Sequence, residues 1–105
     1  MSSNVHPEWL EACPAAELPP GERKLVKLKN VEIALFNVGG TVYAIKNRCP
    51  HRSGPLIRGF TDDTGGIKCP MHGWRFDLRD GSSRRPAQAT VYQVKAENGL
   101  LYVQL

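Results

Sequence analysis

Two short words, Cys49-Pro50-His51 and Cys69-Pro70-Met71-His72, contain two of the chain's three cysteines and two of its three histidines. Only 17 residues separate them. Thiolates and imidazoles are the strong protein ligands for soft and borderline metals, so a fold for this chain must bring the two words together. Each word is expected to be a loop. Pro50 and Pro70 fix φ directly after each cysteine and remove a backbone donor. Gly54 and Gly73 let the backbone turn closely behind each histidine. Facing loops of this kind make a site of two sulfurs and two nitrogens.

Three readings of Cys49, His51, Cys69 and His72 compete. They are unrelated core and surface residues, or a structural zinc site, or the ligands of a [2Fe–2S] cluster. Chance does not account well for two matched words in a chain otherwise nearly devoid of Cys and His. Structural zinc accepts Cys₂His₂ sets, but its usual order places both cysteines in one word and both histidines in the other. Mixed words suit a two-iron object, in which one iron takes the sulfurs and the other the nitrogens. Cys13 and His6 lie outside the words and read as incidental surface or core residues.

The flanking sequence is β-rich. Eight prolines and ten glycines are scattered through the chain, and no long stretch keeps a 3.6-residue apolar period. Strands are predicted at 23–28, 31–37, 41–46, 91–95 and 100–104, with tight turns at Lys29-Asn30, around Gly39-Gly40 and around Asn98-Gly99. The segment 17–22, ELPPGE, reads as a turn before the first long strand. Residues 47–66 read as loop, followed by short strands at 66–69 and 74–77 and a turn at 79–81. The expectation is one all-β domain over 1–105: an antiparallel sandwich or barrel-like base with an inserted loop-rich lobe at about 47–82.

About 100 residues suffice for a modest core without disulfides, and 41% hydrophobic residues exclude wholesale disorder. No apolar run approaches the ~20 residues of a membrane span, and the first 20 residues lack the pattern of a signal peptide. A cytoplasmic protein with reduced thiols is expected. The net charge of +4 is uneven. Residues 46–85 carry nine basic and four acidic side chains, so the positive charge sits on the lobe. Such a patch steers partners electrostatically. Without a basic helix or aromatics interleaved with the charges, nucleic acid is not the expected partner.

The words CPHRSG and CPMHGWRF, their spacing and the β pattern around them resemble the Rieske iron–sulfur family from about Trp9 onward. The resemblance implies that Cys49 and Cys69 hold one iron of a [2Fe–2S] cluster and that His51 and His72 hold the other through Nδ1. High-potential members carry an extra cysteine in each loop, joined as a disulfide; those positions here are Gly54 and Met71. They also carry a serine and a tyrosine whose hydroxyls bond toward the cluster; here the matching residues are Trp74 and Phe76. Hydrogen bonds to cluster sulfurs raise the potential, so their loss implies a low potential, as in the ferredoxins of ring-hydroxylating dioxygenases.

The resemblance implies a one-electron carrier without catalytic residues of its own. It would pass electrons from a reductase to a terminal oxygenase, docking as a monomer through the basic lobe. Arg52, Arg75, Trp74 and Leu56 are the expected surroundings of the docking face. The sequence ends at Leu105 and has His6 as its only further histidine, so no mononuclear iron site of an oxygenase is expected. Ring-dioxygenase ferredoxins are often acidic, and the basic lobe departs from that habit. The alternative is the small subunit of an NAD(P)H nitrite reductase, partnered by its large subunit. A structural zinc-binding module is more remote.

Overall fold

The computed structural model describes residues 8–50, 53–71 and 73–105. Nine strands occur among them: β1 (Trp9–Pro14), β2 (Arg23–Leu28), β3 (Val31–Val38), β4 (Thr41–Lys46), β5 (Phe60–Thr61), β6 (Gly66–Lys68), β7 (Arg75–Asp77), β8 (Val91–Glu97) and β9 (Leu100–Gln104). Short 3₁₀ turns occupy Ala15–Glu17 and Leu56–Arg58. Among the described residues no helix is long and apolar enough to cross a membrane.

Three two-residue turns organise the base. Lys29-Asn30, Gly39-Gly40 and Asn98-Gly99 all have positive φ at both positions. That is the type I′ geometry, whose twist matches the twist of antiparallel strands. The turns pair Leu28 with Val31, Val38 with Thr41 and Glu97 with Leu100. The resulting six-stranded sheet has the order β1-β9-β8-β4-β3-β2, and its outer strands β1 and β2 approach each other, curling it toward a barrel. A smaller sheet, β5-β6-β7, forms the lobe.

The hairpins match the sequence expectation, and the N-terminal segment extends it. Trp9–Pro14 is an edge strand on β9, with Trp9 opposite Gln104 and a bulge between Glu11 and Cys13. Its six residues carry little local strand signal; the open edge of β9 recruits them. The loop reading of 47–66 is refined by the turn at Leu56–Arg58 and by β5.

Strand β3 explains how base and lobe share one core. Its residues 33–37 are all buried. Ile33 and Leu35 face one apolar cluster with Cys13, Leu18, Ala44, Leu101 and Val103. Ala34 and Phe36 face a second cluster with Leu56, Ile67 and Phe76. A strand covered on both faces loses the alternation of a solvent-facing one. Asn37 is the buried polar residue among these: its Nδ2 donates to the Leu18 carbonyl at 2.8 Å, and its Oδ1 accepts from the Gly40 amide at 2.9 Å. It pins the loop after β1 to the β3–β4 turn.

Candidate functional site

Cys49 and Cys69 lie in the cluster between base and lobe, 0% and 2% exposed. Neither forms a disulfide. Their loops share one backbone pattern. The Cys49 amide donates to the Gly54 carbonyl at 2.8 Å, and the Ser53 amide donates back to the Cys49 carbonyl at 2.7 Å. Likewise the Cys69 amide donates to the Trp74 carbonyl at 2.8 Å, and the Gly73 amide to the Cys69 carbonyl at 3.0 Å. Ser53 and Gly73 occupy the same place in each loop and both have left-handed φ, 59° and 72°. Glycine adopts this freely; for serine it is an uncommon, over-determined conformation. The spacing of the words hides this match, because histidine is the third residue of one word and the fourth of the other.

The loops touch. A Cβ on Gly54 would lie 2.7 Å from Met71 Cγ and 3.6 Å from Cys69 Sγ. Gly54 is buried, whereas Met71 keeps 54% of its surface exposed. The two positions identified from the sequence as lacking a bridging disulfide thus face each other. His51, His72, Arg52 and His6 lie outside the described residues.

The donor set fits a soft-metal centre: two water-shielded thiols, neither in a disulfide, on rigid loops in mutual contact, walled by apolar side chains. Phe76 is fully buried in the same cluster, and Trp74 packs against it half-exposed. Neither side chain carries a hydroxyl. The first loop is anchored to the base. The Ile57 amide donates to Asn47 Oδ1 at 2.7 Å, and Arg23 Nη1 donates to the carbonyls of Ile57 and Gly59 at 2.8 and 2.6 Å.

Two expectations about the docking face change. Leu56 is fully buried beneath the loops and presents no contact surface. Arg75 is partly exposed but engaged within the lobe: its Nε and Nη2 donate to Asp62 Oδ2 and Oδ1 at 2.7 and 3.3 Å, and Nη2 also reaches Thr64 Oγ1 at 2.8 Å. Arg75, then Thr64 and the Gly66 amide, hold the Asp62 carboxyl well below the usual carboxylate range. Arg79 pairs similarly with Asp77 across 2.8 Å and lowers its carboxyl. Exposed Met71 is apolar surface on the cysteine loops themselves that the sequence does not single out; its neighbourhood to Gly54 exists only in three dimensions.

Cys13 belongs to the base core, apart from the two loops, and burial pushes its thiol up. Its reading as an incidental core residue holds.

The Rieske [2Fe–2S] domain family matches this chain over residues 8–95. The 3-phenylpropionate/cinnamic acid dioxygenase ferredoxin subunit of Escherichia coli (strain K12) is 39% identical over 97 residues, covering 90% of this chain and 91% of that protein. The ferredoxin of carbazole 1,9a-dioxygenase from Nocardioides aromaticivorans IC177 has a TM-score of 0.83 at 26% identity, covering 91% of this chain and 96% of that one. A chain in the complex of reduced oxygenase and oxidized ferredoxin in carbazole 1,9a-dioxygenase has a TM-score of 0.83 at 28% identity, with 94% of each chain covered.

Proposed function

Because the chain belongs to the Rieske [2Fe–2S] family, we propose that it is a ferredoxin, carrying single electrons from a reductase to a terminal ring-hydroxylating oxygenase. The observation that carries this reading is the pair of matched loops, with buried Cys49 and Cys69 in no disulfide, touching at Gly54 and Met71. Cys49 and Cys69 are assigned to one iron, and His51 and His72 to the other. When bound, the [2Fe–2S] cluster supplies one-electron storage.

The chain's own residues position and insulate. The backbone bonds closing each loop hold the thiols in fixed orientation before any metal arrives, which lowers the reorganisation that loading requires. Phe76, Leu56 and Ile67 keep water from the sulfurs. Residues 1–105 act as one domain, and a monomer suffices for transient docking. A reducing compartment such as the cytoplasm keeps all three cysteines as thiols. The relatives named as dioxygenase ferredoxins favour this carrier over the nitrite reductase subunit.

Purified protein is expected to contain iron and acid-labile sulfide in equal amounts and to show visible absorption that bleaches on reduction. Cys49→Ser and Cys69→Ser are expected to abolish the colour. A colourless protein loaded with zinc would sink the proposal. A stably co-purifying sirohaem subunit would move the assignment to nitrite reductase.

A further inference from the structure

The lobe's positive charge is not evenly available. Arg75 is neutralised by Asp62 and Arg79 by Asp77. Arg84 and Arg85, in the connection between β7 and β8, have no carboxylate partner among the described residues, and both are exposed. Together with Trp74, Ser83 and the already paired Arg75 and Asp77 they line a groove of about 620 Å³ directly beside the second cysteine loop. Two arginines of uncompensated charge therefore face one concavity.

The groove is built rather than incidental. The Arg85 guanidinium lies 5.0 Å from the centre of the Trp74 ring. An arginine held over an aromatic ring loses less rotamer freedom on binding and can still offer N–H edges to a carboxylate. The turn beneath it is fixed by Ser83, whose Oγ accepts from the Arg85 amide at 3.1 Å and lies 2.7 Å from the Ala87 carbonyl. Gly81 closes the base of the connection: with φ of 80°, it sits so near Ala89 that a Cβ would come within 2.0 Å of the Ala89 carbonyl oxygen. The Ala89 amide donates to the Gly81 carbonyl at 2.9 Å. The groove also abuts the site. The Trp74 carbonyl accepts the Cys69 amide, so a segment bound against Trp74 is one backbone hydrogen bond from the second loop.

The geometry points to this groove as the docking seat for a carboxylate-bearing protein segment of the redox partner, clamped by Arg84 and Arg85 and resting on Trp74. It rests on the carrier reading above and deepens it by giving the partner surface its chemistry. Charge complementarity selects an acidic segment, and the preformed Arg85–Trp74 stack favours the planar, bidentate recognition of a carboxylate. The docking surface lies on the side of the second loop; buried Leu56 takes no part in it, and Arg75, which lines the groove, is already paired with Asp62.

The test uses the cluster-loaded protein with an acetylated hexaglutamate peptide at low salt, followed by calorimetry. Arg84→Gln and Arg85→Gln are each expected to weaken binding roughly fivefold, while Lys27→Gln on β2 changes it by less than about twofold. Arg85→Lys keeps the charge without the fork and is expected to recover only part of the loss. Equal weakening by Lys27→Gln would overturn the proposal, as would tighter binding of oligouridylate, which marks a general polyanion surface. Displacement of the peptide by equimolar inorganic phosphate would overturn it in favour of a small-anion site. The visible spectrum and its bleaching are read on the same samples. Their absence from wild-type protein would end the carrier reading, whereas normal spectra with unchanged peptide binding in both arginine variants would end the docking proposal alone.

Discussion

Gly54 faces Met71 so closely that a Cβ on the glycine would meet Met71 Cγ at 2.7 Å. The contact joins the two cysteine loops and leaves no room for a larger residue unless Met71 moves. Gly54→Ala is therefore expected to destabilise the protein by about 1–3 kcal/mol through overpacking. Met71→Ala alone, at an exposed side chain, is expected to cost under about 0.5 kcal/mol. The double variant is expected to recover about 1 kcal/mol of the Gly54→Ala loss, a coupling that a double-mutant cycle by denaturant unfolding measures. Strict additivity would show that the two side chains do not share this space.

Asp62 and Arg75 form a partly exposed pair that shapes the acid limb of stability. The folded carboxyl titrates below its unfolded value. Its stabilising contribution is thus fully present above the unfolded pKa of about 4 and is lost as pH falls below it. Solvent screening limits the pair to about 0.5–1 kcal/mol, since both side chains keep more than a third of their surface. Asp62→Asn is expected to lower stability by that amount at pH 7 and to flatten the decline below about pH 4. Thermal melts between pH 3 and pH 7 check both effects; an unchanged acid slope would contradict the assignment.

Phe76, fully buried beside Cys49 and Cys69, stands where a tyrosine hydroxyl bonds toward the cluster in high-potential relatives. The wild-type midpoint is expected near the low end of the Rieske range, about −150 mV. Phe76→Tyr is expected to raise it by about 60 mV, the one-electron equivalent of a hydrogen bond worth about 1.4 kcal/mol more to the reduced form. EPR-monitored titration provides both values. A positive wild-type midpoint would refute the low-potential reading.

Lys29 holds a left-handed φ of 49° in the β2–β3 turn, and its ammonium pairs with Glu8. Asparagine tolerates this conformation better than lysine. Both partners of the ion pair are more than half exposed, so its loss costs little. Lys29→Asn is expected to raise stability by about 0.5 kcal/mol, and Glu8→Gln to change it by less. A fall in stability on Lys29→Asn, measured by thermal unfolding, would show that the ion pair outweighs the turn strain.

Local features of the chain were legible because their physics is local. Type I′ turns need residues that accept positive φ, and Asn30, Gly39-Gly40 and Asn98-Gly99 advertise them between runs of β-formers. Prolines directly after Cys49 and Cys69 mark loops, and two mixed Cys/His words in a chain poor in both residues mark a metal centre. From these the hairpins, the lobe and the two cysteine loops could be derived in advance.

Contacts between distant residues decided the rest. Trp9–Pro14 became a strand because β9 offered an open edge. Leu56 and Arg75 resembled surface residues of a docking loop until packing buried one against Phe76 and Asp62 captured the other. The common backbone pattern of the loops is hidden by unequal spacing of their histidines, since hydrogen bonding closes both rings five residues after each cysteine. The sequence by itself determined which chemistry this protein carries, because ligand type and turn propensity reside in single residues. Only the tertiary structure decided which charges remain available to a partner, because neutralisation depends on what lies within a few ångströms, and that is set by the fold.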